Sequence, residues 1–504
     1  MSKYRIQVKV ELIECNDDSI ENDLIELADG SLAMAISEKD AISIDKCEIS
    51  ILQTAYPSIR KAISKHLSDV SKKKTLERAN SEADVIVNEH PYQVDGEVGR
   101  FTFSTHRECN IHSQYNTATD LFSELKGKEF YRTMGFKEIA MIYGDTVQSY
   151  RKTADFINRF RYQESEGTPY RTLQDNTEKE GSAIIDYIEE KTKRILNENG
   201  FNENGTYSGE NPVYNSNQPV TLCEEKIVKA AQECFGSDMI KEALNNPVCY
   251  EDPDQTIDIS IDDVIVKRQE EIRHKSAISD EASKLKYVHN SVVHISKGEK
   301  SYTLNGYGIK TVLCYLIAFI FNNELIGNRI QFFTDGHKTL VETILKCFIW
   351  YKNIGIILDW YHLEKKCKEK LSMAMKGRVV RNAFLDRLLP LLWKGLTDKA
   401  IELLQEMSTN DIRNQSEVNS LVEYLKRNKP YIPCYAVRKQ LGLRNSSNIG
   451  EKMNDLVVSE RQKHNGMSWS KQGSVALASV TSIKRNRESK IWFEKRELEF
   501  KLAA

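Results

Sequence analysis

The chain has no Cys-x-x-Cys pair; its ten cysteines are scattered. With no secretory signal ahead of them, they read as reduced thiols of a cytoplasmic protein, not as a disulfide framework. The opening residues, MSKYRIQVKVELIE, lack the apolar h-region of such a signal. The longest apolar run, TVLCYLIAFIF at 311–321, falls well short of the ~20 residues that cross a bilayer, so no membrane partner is expected. No unit of 20–50 residues recurs, which sets aside solenoid architectures. Net charge is nearly absent too, at −2. Any nucleic-acid binding must therefore come from local patches.

What is present is an ordinary globular composition, 40% hydrophobic and 29% charged, over 504 residues. That length predicts two to four domains. Residues 1–60 hold twelve Asp/Glu against six Lys/Arg, and residues 440–504 reverse this with twelve Lys/Arg against seven Asp/Glu. The first hundred residues mix short alternating strands (YRIQVKVELIE) with a helix near 57–90. They form a small α+β region of no assigned role. The stretch 197–217, with seven Asn and three Gly, reads as a linker. It separates a mainly helical region at 101–196 from a larger α/β unit, with a connecting helix before residue 250.

The larger unit has regular periodicity. TIDISIDDVIV (256–266), SVVHIS (291–296) and KSYTLNG (300–306) read as strands, and IKTVLCYLIAFIFNN (309–323) as a buried helix. RIQFFTD is a fourth strand, HKTLVETILKCFIWY a helix and IGIILD a fifth strand. The order β-β-β-α-β-α-β thus occupies 251–372. A helical insertion follows at 373–440, and a final helix begins near Ile449, within the last segment at 441–504.

Acids end three of these strands: Asp262-Asp263, Asp335 and Asp359. Taken alone, Asp335-Gly336-His337 and Asp359-Trp360-Tyr361-His362 each read as a strand–helix cap. Together, carboxylates on neighbouring strand ends need a cation, and hard oxygens favour Mg²⁺ or Mn²⁺. Asp262 is preferred over Asp263 because Asp258, Ser260 and Asp262 share one strand face. Downstream, Met453, Leu456 and Val457 form an apolar helical stripe that leaves Glu451 on another face. Asn454 and Arg461, seven residues apart, are expected to be nearly superposed beside it, as phosphate contacts.

These residues resemble the DDE transposases, whose core is RNase H-like. The wording is most similar to bacterial insertion-sequence enzymes of the ISLre and Mutator-like branches. The resemblance rests on IDISIDDV (257–264), FFTDGH (332–337), LDWYHL (358–363) and EKMND with RQKHNGMSWS (451–470). LWKG with AIELL (392–404) and YLKRN (424–428) extend it through the helical insertion. It covers about residues 130–480 and implies Asp262, Asp335 and Glu451 as catalytic metal ligands, with Asp359 and His362 in support. It also implies metal-assisted cleavage of element ends and joining of the 3′-hydroxyls to target DNA. The expected partners are double-stranded DNA, as terminal inverted repeats and target, and a homodimer or larger assembly. Trp469, after Gly466 and Met467, is expected to stack on an unpaired base or to pack in the core.

The 135–161 stretch has helix-turn-helix spacing, with Ala140 at the crossing and Gly144 at the turn. Arg151, Lys152, Arg159 and Arg161 lie on its second helix, and Lys463 adds a cation beyond the Glu helix. All are read as DNA-binding residues. His106, Cys109 and His112 have no standard zinc spacing and read as structural. KRNRESKIWFEKR (484–496) reads as a basic tail able to follow a DNA backbone. A catalytically inactive DNA-binding relative, an RNase H-like nuclease and a carboxylate-pair glycosidase are the competing readings.

Overall fold

The computed structural model describes residues 25–27, 31–79, 85–110, 122–125, 130–146, 149–163, 167–209, 221–236, 239–269, 286–463 and 467–502. The strand expected in the first fourteen residues, His112, residues 210–217 of the expected linker and Gly466 lie outside these. The architecture is mixed α/β, and the chain separates into two compact units, residues 1–177 and 178–504.

In the first unit, the two-residue strands β1 (Ile25–Glu26) and β2 (Leu32–Ala33) precede helices α1 (Glu38–Ala41) and α2 (Ile44–Ala79). Strands β3 (Val85–Gly96) and β4 (Gly99–Asn110) form an antiparallel hairpin, and β5 (Phe130–Arg132) joins β3 in parallel. The helix expected near 57–90 therefore starts earlier and stops by Ala79, and the start of the 101–196 region is strand. Alternation in FTFST turns Phe103 and Thr105 inward, and period two outweighs helix propensity there. The outer edge of β4 is not bare. Ser68 and Ser71 on α2 accept hydrogen bonds from the Ser104 and His106 amides, each at 2.8 Å, so the helix satisfies the edge strand's donors.

Helices α3 (Met134–Thr146) and α4 (Tyr150–Phe160) cross over Phe136, Ala140, Ala154 and Ile157. Gly144 falls inside α3, not at the turn. The second helix instead begins at Ser149, whose hydroxyl accepts from the Lys152 amide. Helix α5 (Tyr170–Glu198) follows.

In the second unit, residues 199–209 are not a loose linker. Phe201 is buried and packs edge-on against Trp350 at 4.9 Å. Helices α6 (Glu224–Phe235) and α7 (Ile240–Leu244) lead to strands β6 (Thr256–Lys267), β7 (Tyr287–Lys297) and β8 (Lys300–Gly306). Then come α8 (Ile309–Asn322), β9 (Arg329–Thr334), α9 (Lys338–Cys347) and β10 (Ile354–Leu358). The sheet order is β10-β9-β6-β7-β8, with β6, β9 and β10 parallel and β7 and β8 antiparallel.

Helices α10 (Trp360–Ala374), α11 (Arg378–Trp393), α12 (Thr397–Gln405) and α13 (Gln415–Asn428) build a second core around Leu371, Leu388, Leu421 and Leu425. After α14 (Tyr435–Gln440), the helix α15 (Asn448–Asn454) continues through one π turn, Asp455–Ser459, into α16 (Glu460–Gln462). It is not the last helix. α17 (Lys471–Arg485) and α18 (Ser489–Lys495) follow, and α17 is buried along nearly its whole length. The expected basic tail is largely core. Trp492 and Phe493 are buried, Glu488 accepts from Tyr302 at 2.6 Å, and Arg496 pairs with Glu180.

Candidate active site

Register decides where the acids meet. Ser260 on β6 pairs with Phe333 on β9, and Thr334 pairs with Leu358 on β10. The first strand does not end at Asp262-Asp263 as expected, since β6 runs on to Lys267. Continued past the ends of β9 and β10, the same offsets put Asp262, Asp335 and Asp359 in one row. Period-two alternation then separates the two acids of the first pair. Asp262 joins Asp335, His362, Glu451 and Asn454 around a cleft, whereas Asp263 accepts from Ser291 at 2.9 Å and meets His289 at 2.6 Å.

Glu451 reaches the cleft because α15 lies directly on β6. A Cβ on Gly450 would come within 2.2 Å of the Ser260 Cβ, so only glycine permits this approach. Asp359 fixes the helix from its other side. Its fully buried carboxylate accepts from the His362 amide at 3.1 Å, capping α10, and from the Ser447 amide and hydroxyl (2.7 Å) at the start of α15. One carboxylate therefore ties the helix bearing His362 to the helix bearing Glu451. The insertion helix α13 ties in Asp335, since the Tyr424 hydroxyl donates to its carbonyl at 3.2 Å.

The electrostatics follow from this crowding. Burial, reinforced by Asp335, pushes the Asp262 carboxyl above its ordinary range. Burial does the same to Glu451, against the pull of His362. His362 is itself raised, chiefly by Asp359, whose Oδ1 stands 3.6 Å from Nδ1. Its Nε2 lies 3.3 Å from Glu451. Burial also opposes ionisation of Asp359, but His362 and Ser447 outweigh it and hold that carboxyl below the usual range.

A divalent cation fits this chemistry. Three carboxylates line one cleft, two of them, Asp262 and Glu451, with their ionised forms disfavoured, and about 20 Å³ of it is open to a water-sized body. Asp262, Asp335 and Glu451 are the oxygen donors available. Among the described residues no three His, Cys, Asp or Glu side chains are gathered closely enough, as they stand, to hold a metal ion. Each acid instead uses a local partner: Asn454 for Asp262 at 3.0 Å, the His337 amide for Asp335 at 2.8 Å, and His362 for Glu451.

Four expected DNA contacts, Asn454, Arg461, Trp469 and Arg161, are placed differently. Asn454 is buried and committed to Asp262. Arg461 is not superposed on it, because the π turn adds a residue to the helix between them. Its guanidinium lies 5.4 Å from the Trp469 ring, and both side chains are buried. Trp469 donates to the Gln462 carbonyl at 3.2 Å and is a core residue. Lys463 stays exposed, as do Arg151, Lys152 and Arg159 on α4, whereas Arg161 is buried over Phe136. The residues that the motifs did not reveal are Ser447 and Tyr424. Tyr424 opens the YLKRN phrase and Ser447 stands four residues before the EKMND phrase, but neither phrase says what these side chains hold. Compared with models of protein families, with curated proteins and with solved structures, the chain finds no match.

Proposed function

We propose that this protein is a DNA transposase of the DDE type on an RNase H-like core, with α3 and α4 as its helix-turn-helix for terminal repeats. The observation that carries the reading is the gathering of Asp262, Asp335 and Glu451 around one cleft, from the middle of β6, the end of the neighbouring β9 and a helix laid on β6. The mixed five-stranded sheet supports the reading, as do the helices α11, α12 and α13 that lie in sequence between the second aspartate and the glutamate.

Asp262, Asp335 and Glu451 would hold Mg²⁺ or Mn²⁺. When bound, the ions supply the charge compensation and Lewis acidity of an in-line phosphodiester displacement. The other residues prepare the donors. Asn454 holds the Asp262 carboxylate in place, and Asp359 fixes both Ser447 and His362, which sets the position of Glu451. His362 partners Glu451 and moderates the charge of the acid cluster.

The test is strand transfer by purified protein, with a labelled duplex carrying the DNA end that flanks its own gene, a plasmid target and Mg²⁺. Joined product from the wild type, lost in Asp335→Ala and Glu451→Ala, supports the reading. Cleavage without joining would replace it with a nuclease. DNA binding without either reaction, with Mn²⁺ also tried, would replace it with an inactive DNA-binding relative.

A further inference from the structure

Beside the acid cleft, a second cleft of about 360 Å³ opens between α10 and α13, with Asp335 on its rim. Its size falls in the ~300–1,000 Å³ range of small-ligand sites, and its walls are cationic. Lys365, Lys366 and Lys370 come from α10 and Arg427 from α13. Lys370 is neutralised by Glu417 at 2.7 Å, and Glu369 is a carboxylate on the same rim. Among the described residues, Lys365, Lys366 and Arg427 form no ion pair.

These cations are not a loose surface patch. Lys366 and Arg427 both stand over the Tyr424 ring, at 5.9 and 5.6 Å, and that tyrosine hydroxyl donates to the Asp335 carbonyl. Their position is thus coupled to the strand end that carries the acid. Packing like charges around one small cleft is unfavourable unless an anion enters, and lysine and arginine heads are suited to phosphate oxygens.

We propose that this cleft seats the backbone phosphates of the DNA strand next to the scissile phosphate, with Lys365, Lys366 and Arg427 as the contacts. The inference rests on the transposase reading and gives α10 and the insertion helix α13 a task in it: holding the strand in line with Asp335.

The test is fluorescence anisotropy of the full-length protein with a labelled single-stranded DNA of 20 nucleotides, in EDTA and across a salt series. No cleavage is needed, so a failure here is distinct from failure of strand transfer. Replacing Lys365, Lys366 and Arg427 together by Gln removes three charges. It should lower the log–log salt slope by about 2 and weaken binding about 100-fold near 0.1 M salt. Replacing the exposed Lys226, Lys229 and Lys241 by Gln removes the same charge elsewhere and should change little. Equal losses in both triples, or no loss in the first, would overturn the proposal. So would competition by inorganic pyrophosphate as effective as by unlabelled oligonucleotide, since that describes a free-phosphate site. A 4-thiothymidine placed next to the cleavage junction should crosslink to α10 or α13, and crosslinking confined to other segments would also sink it.

Discussion

Asp335 and Asp359 end neighbouring parallel strands at the same level of one sheet, yet they have opposite fates. Asp335 follows β9 into a glycine at φ +75° and keeps its carboxylate at the solvent-facing rim of two clefts. Asp359 follows β10 directly into a helix and is wholly enclosed, accepting hydrogen bonds from two separate segments. The difference lies in what comes after each strand and what packs over it. A strand end followed by an open turn exposes its acid for binding. The same end roofed by α10 and the Ser447 loop turns its acid into a structural clamp.

The sharpest way to break this comparison is to remove each acid in turn. Asp335→Ala should reduce strand transfer by roughly 10³-fold, the scale of losing one preorganised electrostatic group. Its urea midpoint should stay close to that of the wild type. Asp359→Ala should do the reverse first, lowering unfolding free energy by about 3 kcal/mol because buried partners are left unsatisfied. Activity would fall as a consequence. A normal urea midpoint for Asp359→Ala would show that it is not a clamp.

Gly450→Ala tests whether the clamp needs close packing. The added methyl meets Ser260 and should cost about 1–3 kcal/mol by overpacking, with a larger relative loss of strand transfer than of stability. Thermal melting alongside the activity assay separates the two effects. Ser260→Gly in the same chain should restore part of the loss.

Mg²⁺ provides a gentler probe of the exposed acid. Millimolar Mg²⁺ should stabilise the wild type but not Asp335→Ala, by about 1.4 kcal/mol at ten times the dissociation constant, read as a higher melting temperature. Chelation with EDTA should reverse it. An equal rise in both proteins would place the ion elsewhere.

The smallest effect is pH dependence. Because the folded protein holds the Asp359 carboxyl below its unfolded value, its contribution is present above the unfolded value of 3.8 and is lost as pH falls through the depressed folded value. Asp262 and Glu451 are shifted upward, so their ionisation costs stability at neutral pH, and that cost disappears as pH falls through their raised values. Melting curves from pH 3 to 7 should therefore show Asp359→Asn losing part of the acid-side slope of the wild type. Glu451→Gln should melt slightly above the wild type at pH 7.

Much of the five-stranded sheet could be read from local pattern. Alternation in TIDISIDDVIV is a period-two signal, and the continuous apolar runs before Asp335 and Asp359 mark strands buried on both faces. The N-terminal unit was less legible, because α2 covers β4 through serine hydroxyls and hydrophobic periodicity does not record such contacts. The far side of the Glu helix misled for another reason. A regular helix superposes Asn454 and Arg461, but the π turn displaces Arg461 onto Trp469.

By itself, then, the sequence determined the succession of strands and helices in the five-stranded sheet, the alternation that separates Asp262 from Asp263, and the acids that follow β9 and β10. Only the tertiary structure decided which acids share a cleft, that Asp359 is a clamp, and that cations of α10 and α13 stand beside Asp335. The physical reason is range. Alternation and helical period act over a few residues, whereas Gly450 on Ser260, Ser447 on Asp359 and Tyr424 on Asp335 join positions separated by 88 or more residues.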